Sequence, residues 1–402
     1  MCIAMPPGED GRLTDLPPGP VQSRSQHISA LDGVRGIAIL AVFFCHFGGG
    51  SHGGSFFTKI CGVILNGGWA GVDLFFVLSG FLITNILLGT QSDPNYYKVF
   101  YARRLLRIFP IYYATLLLVL AISIAQHEYF RPDQYSFFVF LNNFAVIFDP
   151  TVGYPGRHMN LTALWSLGVE EQFYLVWPFL VALACWHNRM VWLIAAALVI
   201  PLVLRLLLAD ALPAAVYNSP FTRMDTFAAG ALLAYLVRRD LLRSLPGWLP
   251  RTILALSVVG FALIGWFERS LDPFTKLMMT IGYEATAAGA FALIWLAATD
   301  RGLVKSVCSL APLRFFGKYS YGIYIYHHLF IHFFRTSVWP FEAHLIRHPA
   351  WTGVVYMVSS LLIITSVAVA SYHWFEAYFL RLKRYFPYQR PAECEAIHPA
   401  AP

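Results

Sequence analysis

The chain reads as a succession of apolar runs separated by short polar stretches. Ten runs approach the roughly 17–25 residues that cross a bilayer as a helix: 31–48, 69–88, 106–125, 164–186, 190–209, 225–237, 252–267, 277–298, 320–337 and 351–373. The run at 225–237 is short. The pattern predicts an all-α, polytopic membrane protein, a bundle of about ten transmembrane helices. Residues 135–148, YSFFVFLNNFAVIF, are apolar but brief and are interrupted by Asn142 and Asn143. A re-entrant or interfacial segment is expected there, not a crossing.

Cations between the runs give the chain a direction. With the N-terminus inside, the inner segments hold clusters such as Arg103, Arg104 and Arg107, then Arg238, Arg239 and Arg243, then Arg314 and Lys318. The outer segments are poorer in Lys and Arg. This bias puts both termini inside. Composition agrees: 57% of the 402 residues are hydrophobic and 13% charged, against about 25% charged in soluble domains. The net charge of +7 is therefore an orientation signal, and no nucleic-acid partner is inferred. The six cysteines lack metal or disulfide spacing. Residues 1–27 are Pro/Gly-rich without an apolar stretch, and are expected to be a disordered cytoplasmic tail. Residues 28–380 are expected to form the membrane domain, and 381–402 a second cytoplasmic tail.

Against this background a few polar residues stand in the wrong place. In LDGVRGIAILAVFFCHF, residues 31–47, Arg35 and His46 share one helical face with Ile39 and Val42. Eleven steps at 1.5 Å separate them by roughly 16 Å. A cation inside a membrane is costly unless paired, so an intramembrane Arg–His face is a functional-site hypothesis. Asp73 opens the next run at the His46 level. It is a candidate partner that orients the imidazole, and capping of its own helix is the other reading. Arg103, Arg104 and Arg107 suit an anionic, nucleotide-like group, or serve as ordinary inner-face anchors. Glu170 and Glu171 enter a run together on different faces. At least one is expected to face the interior, as a site residue or as the partner of Arg35 or Arg223. Arg223 and Asp225 pair with each other or contact a polar acceptor. His327 and His328 lie mid-span and point apart, so at most one is expected at a site. No metal site is inferred.

These segments, with GVDLFFVLSGFLIT, YARRLLRIFPIYY, WSLGVEEQFYL, RMDTFAAG and YSYGIYIYHH, occur in the order and spacing of a known family. The chain resembles the acyltransferase-3 family of integral membrane O-acyltransferases over roughly residues 28–380, the group of bacterial O-antigen and exopolysaccharide acetylases. The resemblance implies transfer of an acyl group, acetyl above all, from cytoplasmic acyl-CoA to a hydroxyl of a sugar or glycoside acceptor. It implies a multi-pass protein of the bacterial inner membrane. The donor would be a co-substrate, with no permanently bound cofactor. Arg35 and His46 match the family's essential pair. Arg104 and Arg107 match its RxxR element, linked to CoA handling, and Arg103 stands beside them. Glu171 matches the second Glu of its VEEQF motif, and His327 the first His of a late motif. The terminal motif departs, since Ala and Tyr follow Glu376.

Catalytic roles are therefore expected for His46, Arg35, Glu171 and Asp73. Donor binding falls to Arg104, Arg107 and Arg103, and acceptor binding to Arg223, Asp225 and His327. A transporter or flippase of a glycan is the rival class, since polar residues also line transport paths. No repeated halves are visible in its support.

Overall fold

The computed structural model describes residues 29–48, 62–91, 93–155, 159–299, 302–346 and 348–388. The expected tail 1–27, and the part of 381–402 beyond residue 388, lie outside them. Among the described residues every regular element is helical. The ten long helices are α1 (Ser29–Gly48), α2 (Ala70–Gly89), α3 (Tyr96–Ala125), α4 (Trp165–Trp186), α5 (Met190–Leu208), α6 (Pro220–Arg238), α7 (Leu249–Glu268), α8 (Tyr283–Thr299), α9 (Ala311–Leu329) and α10 (Pro349–Ser371).

Eight of the ten are long and apolar enough to cross a membrane: α1 to α5, α7, α8 and α10. The chain is thus an all-α polytopic membrane protein. The expected span 225–237 falls in α6, and 320–337 starts in α9 but runs past its end into a short helix, Ile331–Phe333, and a π turn, Phe334–Val338; α6 and α9 are helices of 19 residues but more polar. Their neighbours explain the difference. Most of α6 is buried between α2 and α5, and α9 is packed against α1 and α10. A helix screened from lipid does not need an apolar surface. By contrast α5 and α7 expose Val191, Trp192, Val199, Leu256, Val258 and Trp266, as lipid-facing helices do.

Residues 135–148 do not cross. They form a single-stranded excursion of 3₁₀ turns over Pro132–Val139 and a seven-residue helix over Asn142–Phe148, roughly 10 Å long at 1.5 Å per residue. Side-chain amides tie this piece to α4. Gln172 Nε2 donates to Phe140 O at 2.7 Å and to Asn143 Oδ1 at 2.8 Å.

Glycines set the closest helix pairs. A Cβ on Gly80 of α2 would lie 2.0 Å from Phe227 O of α6, and one on Gly230 of α6 would lie 1.9 Å from Val77 O of α2. The α1–α9 pair is equally close: Gly36 meets Leu313 O at 2.0 Å and Gly317 meets Asp32 O at 1.7 Å. In lipid, helices associate through such backbone approach, because apolar burial alone offers little between helices. The α1–α9 contact brings the face carrying Arg35 and His46 against the helix carrying His327.

Candidate active site

Two adjoining cavities occupy the Arg35 end of the bundle. The outer of the two is basic and open, with about 1300 Å³ of empty space that includes open solvent. Its charged lining is Asp32, Arg35, Arg107, Arg314, Lys318 and Glu376. The inner one, about 780 Å³, runs between α1, α2, α3, α4 and α9. Its polar lining includes Arg35, Ser79, Arg104, Arg107, Glu170 and Tyr324, and its walls are apolar, with Phe75, Phe76 and Leu82 among them. Arg35, Arg107 and Tyr321 line both, so the two adjoin along these side chains.

Each charged group reaches this path for a local reason. Arg35 is held by Asp32 one turn earlier, at 2.9 Å. Arg104 and Arg107 are one turn apart on α3, which puts both on the cavity face. Arg103 does not join them. Its Nη1 donates to Lys383 O at 3.2 Å and Phe386 O at 2.8 Å, and its guanidinium lies over the Tyr388 ring. Arg103, expected beside them at the donor, is not brought to either cavity lining: one residue along a helix is a 100° turn, and that turn carries it to the C-terminal segment. The same rotation separates the two acids of α4. Glu170 lines the inner cavity and accepts hydrogen bonds from Ser79 Oγ and Tyr174 OH. Glu171 is half-buried on the adjacent face, outside the cavity lining. Glu376, despite its altered motif, is buried at the basic cavity and accepts from Ser371 Oγ at 3.4 Å.

At the other end of α1, three imidazoles cluster. The His46 ring lies 5.3 Å from that of His327 and 4.7 Å from that of His328. Both α9 histidines thus flank His46, although adjacent residues point apart. The close α1–α9 approach lets rings 100° apart reach the same partner. His328 is a residue that sequence reading notes beside His327 but does not carry to the site; the adjacent pair HH is its only signal. His327 is fully buried, and its Nδ1 lies 2.6 Å from Tyr324 O. A carbonyl only accepts, so Nδ1 carries the proton and Nε2 keeps a lone pair. That Nε2 is buried with no hydrogen-bond partner among the described residues. Tyr324 links this cluster to the inner cavity. Its ring lies 5.4 Å from His327, and its hydroxyl meets Ser166 Oγ at 2.5 Å on the cavity wall.

Asp73 does not serve His46. Arg223 and Thr286 Oγ1 donate to its two carboxylate oxygens, the latter at 2.5 Å. Nor do Arg223 and Asp225 pair with each other. Asp225 meets Arg205 at 2.6 Å, and Arg205 also meets Glu284 at 2.5 Å. The Arg223 guanidinium sits 4.2 Å from the Tyr283 ring centroid. Asp73, Arg205, Arg223 and Asp225 are fully buried and line neither cavity. Close packing of α2, α5, α6 and α8 seals them, so they are joined to each other and not to an acceptor. Arg205 is the residue of this network that sequence reading misses; its signal is a lone cation within the apolar run 190–209.

Comparison with known proteins adds to this geometry. The chain is 30% identical over 328 residues to a peptidoglycan O-acetyltransferase, OatA, of Listeria monocytogenes, which covers 75% of this chain and 49% of that protein. It is 28% identical over 367 residues to a putative peptidoglycan O-acetyltransferase, YrhL, of Bacillus subtilis, covering 87% and 54%. It is 25% identical over 345 residues to an O-acetyltransferase, OatA, of Staphylococcus aureus, covering 77% and 52%. The chain spans about half the length of these curated relatives. No solved structure matches it. The family model described as an acyltransferase domain matches residues 28–373, which takes in the whole lining of the inner cavity and the imidazole cluster. On that match the chain belongs to the acyltransferase-3 family.

Proposed function

We propose that the protein is a membrane O-acyltransferase that moves an acyl group, acetyl above all, from acyl-CoA to a hydroxyl of a cell-wall sugar. The observation that carries this reading is the pair of adjoining cavities, which we read as one path. Its mouth is basic, as the phosphates of a CoA thioester require. Its interior is apolar and polar in patches, suited to an extended arm. Its far wall, Tyr324, abuts the imidazole cluster. The peptidoglycan names of the relatives support this acceptor class, and the Lys/Arg bias supports a basic mouth on the cytoplasmic side.

In the reaction, His46 takes the proton of the acceptor hydroxyl as its oxygen attacks the thioester carbonyl. The C–O bond forms, the C–S bond breaks, and the thiolate leaves with the proton returned by the imidazolium. Arg35, which lines both cavities, contacts the donor. His327 Nε2, with its free lone pair, faces the cluster as an acceptor for a hydroxyl or an imidazole N–H.

The test is thiol release from acetyl-CoA by purified protein with a peptidoglycan fragment as acceptor. Wild type is expected to turn over, and His46→Ala to lose about 10²–10⁴-fold while still binding CoA. Equal turnover by His46→Ala overturns its role as base. Absence of CoA binding by wild type overturns the donor.

A further inference from the structure

The basic cavity holds two cations to which no motif or relative assigns a role. Arg314 and Lys318 lie one turn apart at the start of α9 and line the cavity with Arg107 and Arg35. Their placement opposes local helix preferences twice. Like charges at i and i+4 repel, and a cation in the first turn opposes the helix dipole. That turn contains no acid to offset them. Such local conflict is a mark of function more than of folding.

The pairing pattern is as informative. Arg35 is neutralised by Asp32, while Glu376, which accepts from Ser371 Oγ, also interacts with Arg107 through space. Lys318 rests over the Tyr319 and Tyr372 rings, 5.0 Å from each centroid. Arg107 and Arg314 make no side-chain hydrogen bond, ion pair or ring contact among the described residues. Two helices, α3 and α9, therefore bring cations without an ion pair to one open cavity. Guanidinium groups match phosphate oxygens in a bidentate fork, and a lysine adds a point charge.

We propose that Arg314 and Lys318, with Arg107, bind the phosphates at the nucleotide end of the thioester donor. This rests on the donor reading above. It puts the diphosphate at the start of α9 and directs the arm past Arg35 and Tyr321 into the inner cavity. A phospholipid headgroup offers the same phosphate chemistry, so the experiment must separate the two.

The experiment measures CoA and adenosine 3′,5′-bisphosphate binding to the full chain, in lipid-free detergent and in nanodiscs with or without phosphatidylglycerol. The variants are Arg314→Ala, Lys318→Ala, their double, and the conservative Arg314→Lys, with Arg243→Ala as a basic control outside the cavity. Loss of roughly tenfold in affinity per residue is expected, from charge-assisted contacts, with a shallower salt dependence in the double variant and partial rescue by Arg314→Lys. Melting curves of the variants should overlay that of wild type. Wild-type binding with unchanged affinity in the double variant overturns this inference and leaves the donor reading intact. No binding of CoA by wild type overturns both. Displacement of the bisphosphate by phosphatidylglycerol, lost in the double variant, reassigns the site to lipid and also overturns it.

Discussion

Two clusters of charge lie in the same bundle and are built in opposite ways. The cluster of Asp73, Arg223, Arg205 and Asp225 is fully buried, and every charge has a counter-charge on another helix. The cluster of Arg107, Arg314 and Lys318 faces a cavity, and its charges form no direct ion pair among the described residues, Glu376 acting on Arg107 only through space. A sealed charge must be paired, because desolvation without compensation costs several kcal/mol. An open charge can wait for a ligand, because water holds it meanwhile. Polar residues in membrane helices are thus of two kinds, and pairing separates them better than residue type does.

The sharpest way to break this comparison is Arg223→Leu. It leaves Asp73 buried without its cation, and a loss of about 3–5 kcal/mol is expected. Thermal melting in detergent reads it, and an unchanged midpoint removes the structural reading of the sealed cluster. A companion Asp73→Leu/Arg223→Leu double should recover much of the loss, since neither charge then remains. The opposite pole is Arg107→Ala. Here the melting midpoint should hold while KM for acyl-CoA rises about tenfold, one charge-assisted contact being removed. A fall in stability with unchanged KM would move Arg107 to the other class. The smallest effect belongs to Arg103→Ala. Its loss frees the carbonyls of Lys383 and Phe386, so faster proteolysis at residues 382–388 is expected, with KM within about twofold of wild type. A KM shift as large as that of Arg107→Ala would return Arg103 to the donor site.

The RxxR element and the two adjacent acids mark where sequence reading stops. Three arginines in five residues announce an anion-seeking surface, yet only two reach the cavities. Two consecutive glutamates announce an interior carboxylate, and the resemblance directs attention to Glu171, whereas Glu170 lines the cavity. The 100° turn between neighbours is known from sequence, but the rotation of the whole helix about its axis is not. Packing partners set that rotation. The imidazole cluster makes the same point: HH reads as two residues pointing apart, and glycine-mediated approach of α1 and α9 brings both to His46.

By itself the amino-acid order determined the all-α membrane architecture, the short excursion at 135–148, and the alignment of Arg35 with His46 along α1. These follow from hydropathy and helical period, which act over neighbouring residues. Only the tertiary structure decided that Asp73 joins Arg223, 150 positions away, that Arg205 joins Asp225, and that Arg107, Arg314 and Lys318 meet at one mouth. Such partners lie on different helices, and their meeting depends on interhelical distance and rotation. Gly36, Gly80, Gly230 and Gly317 set those distances by letting backbones touch, a property of the packed bundle that no single segment carries.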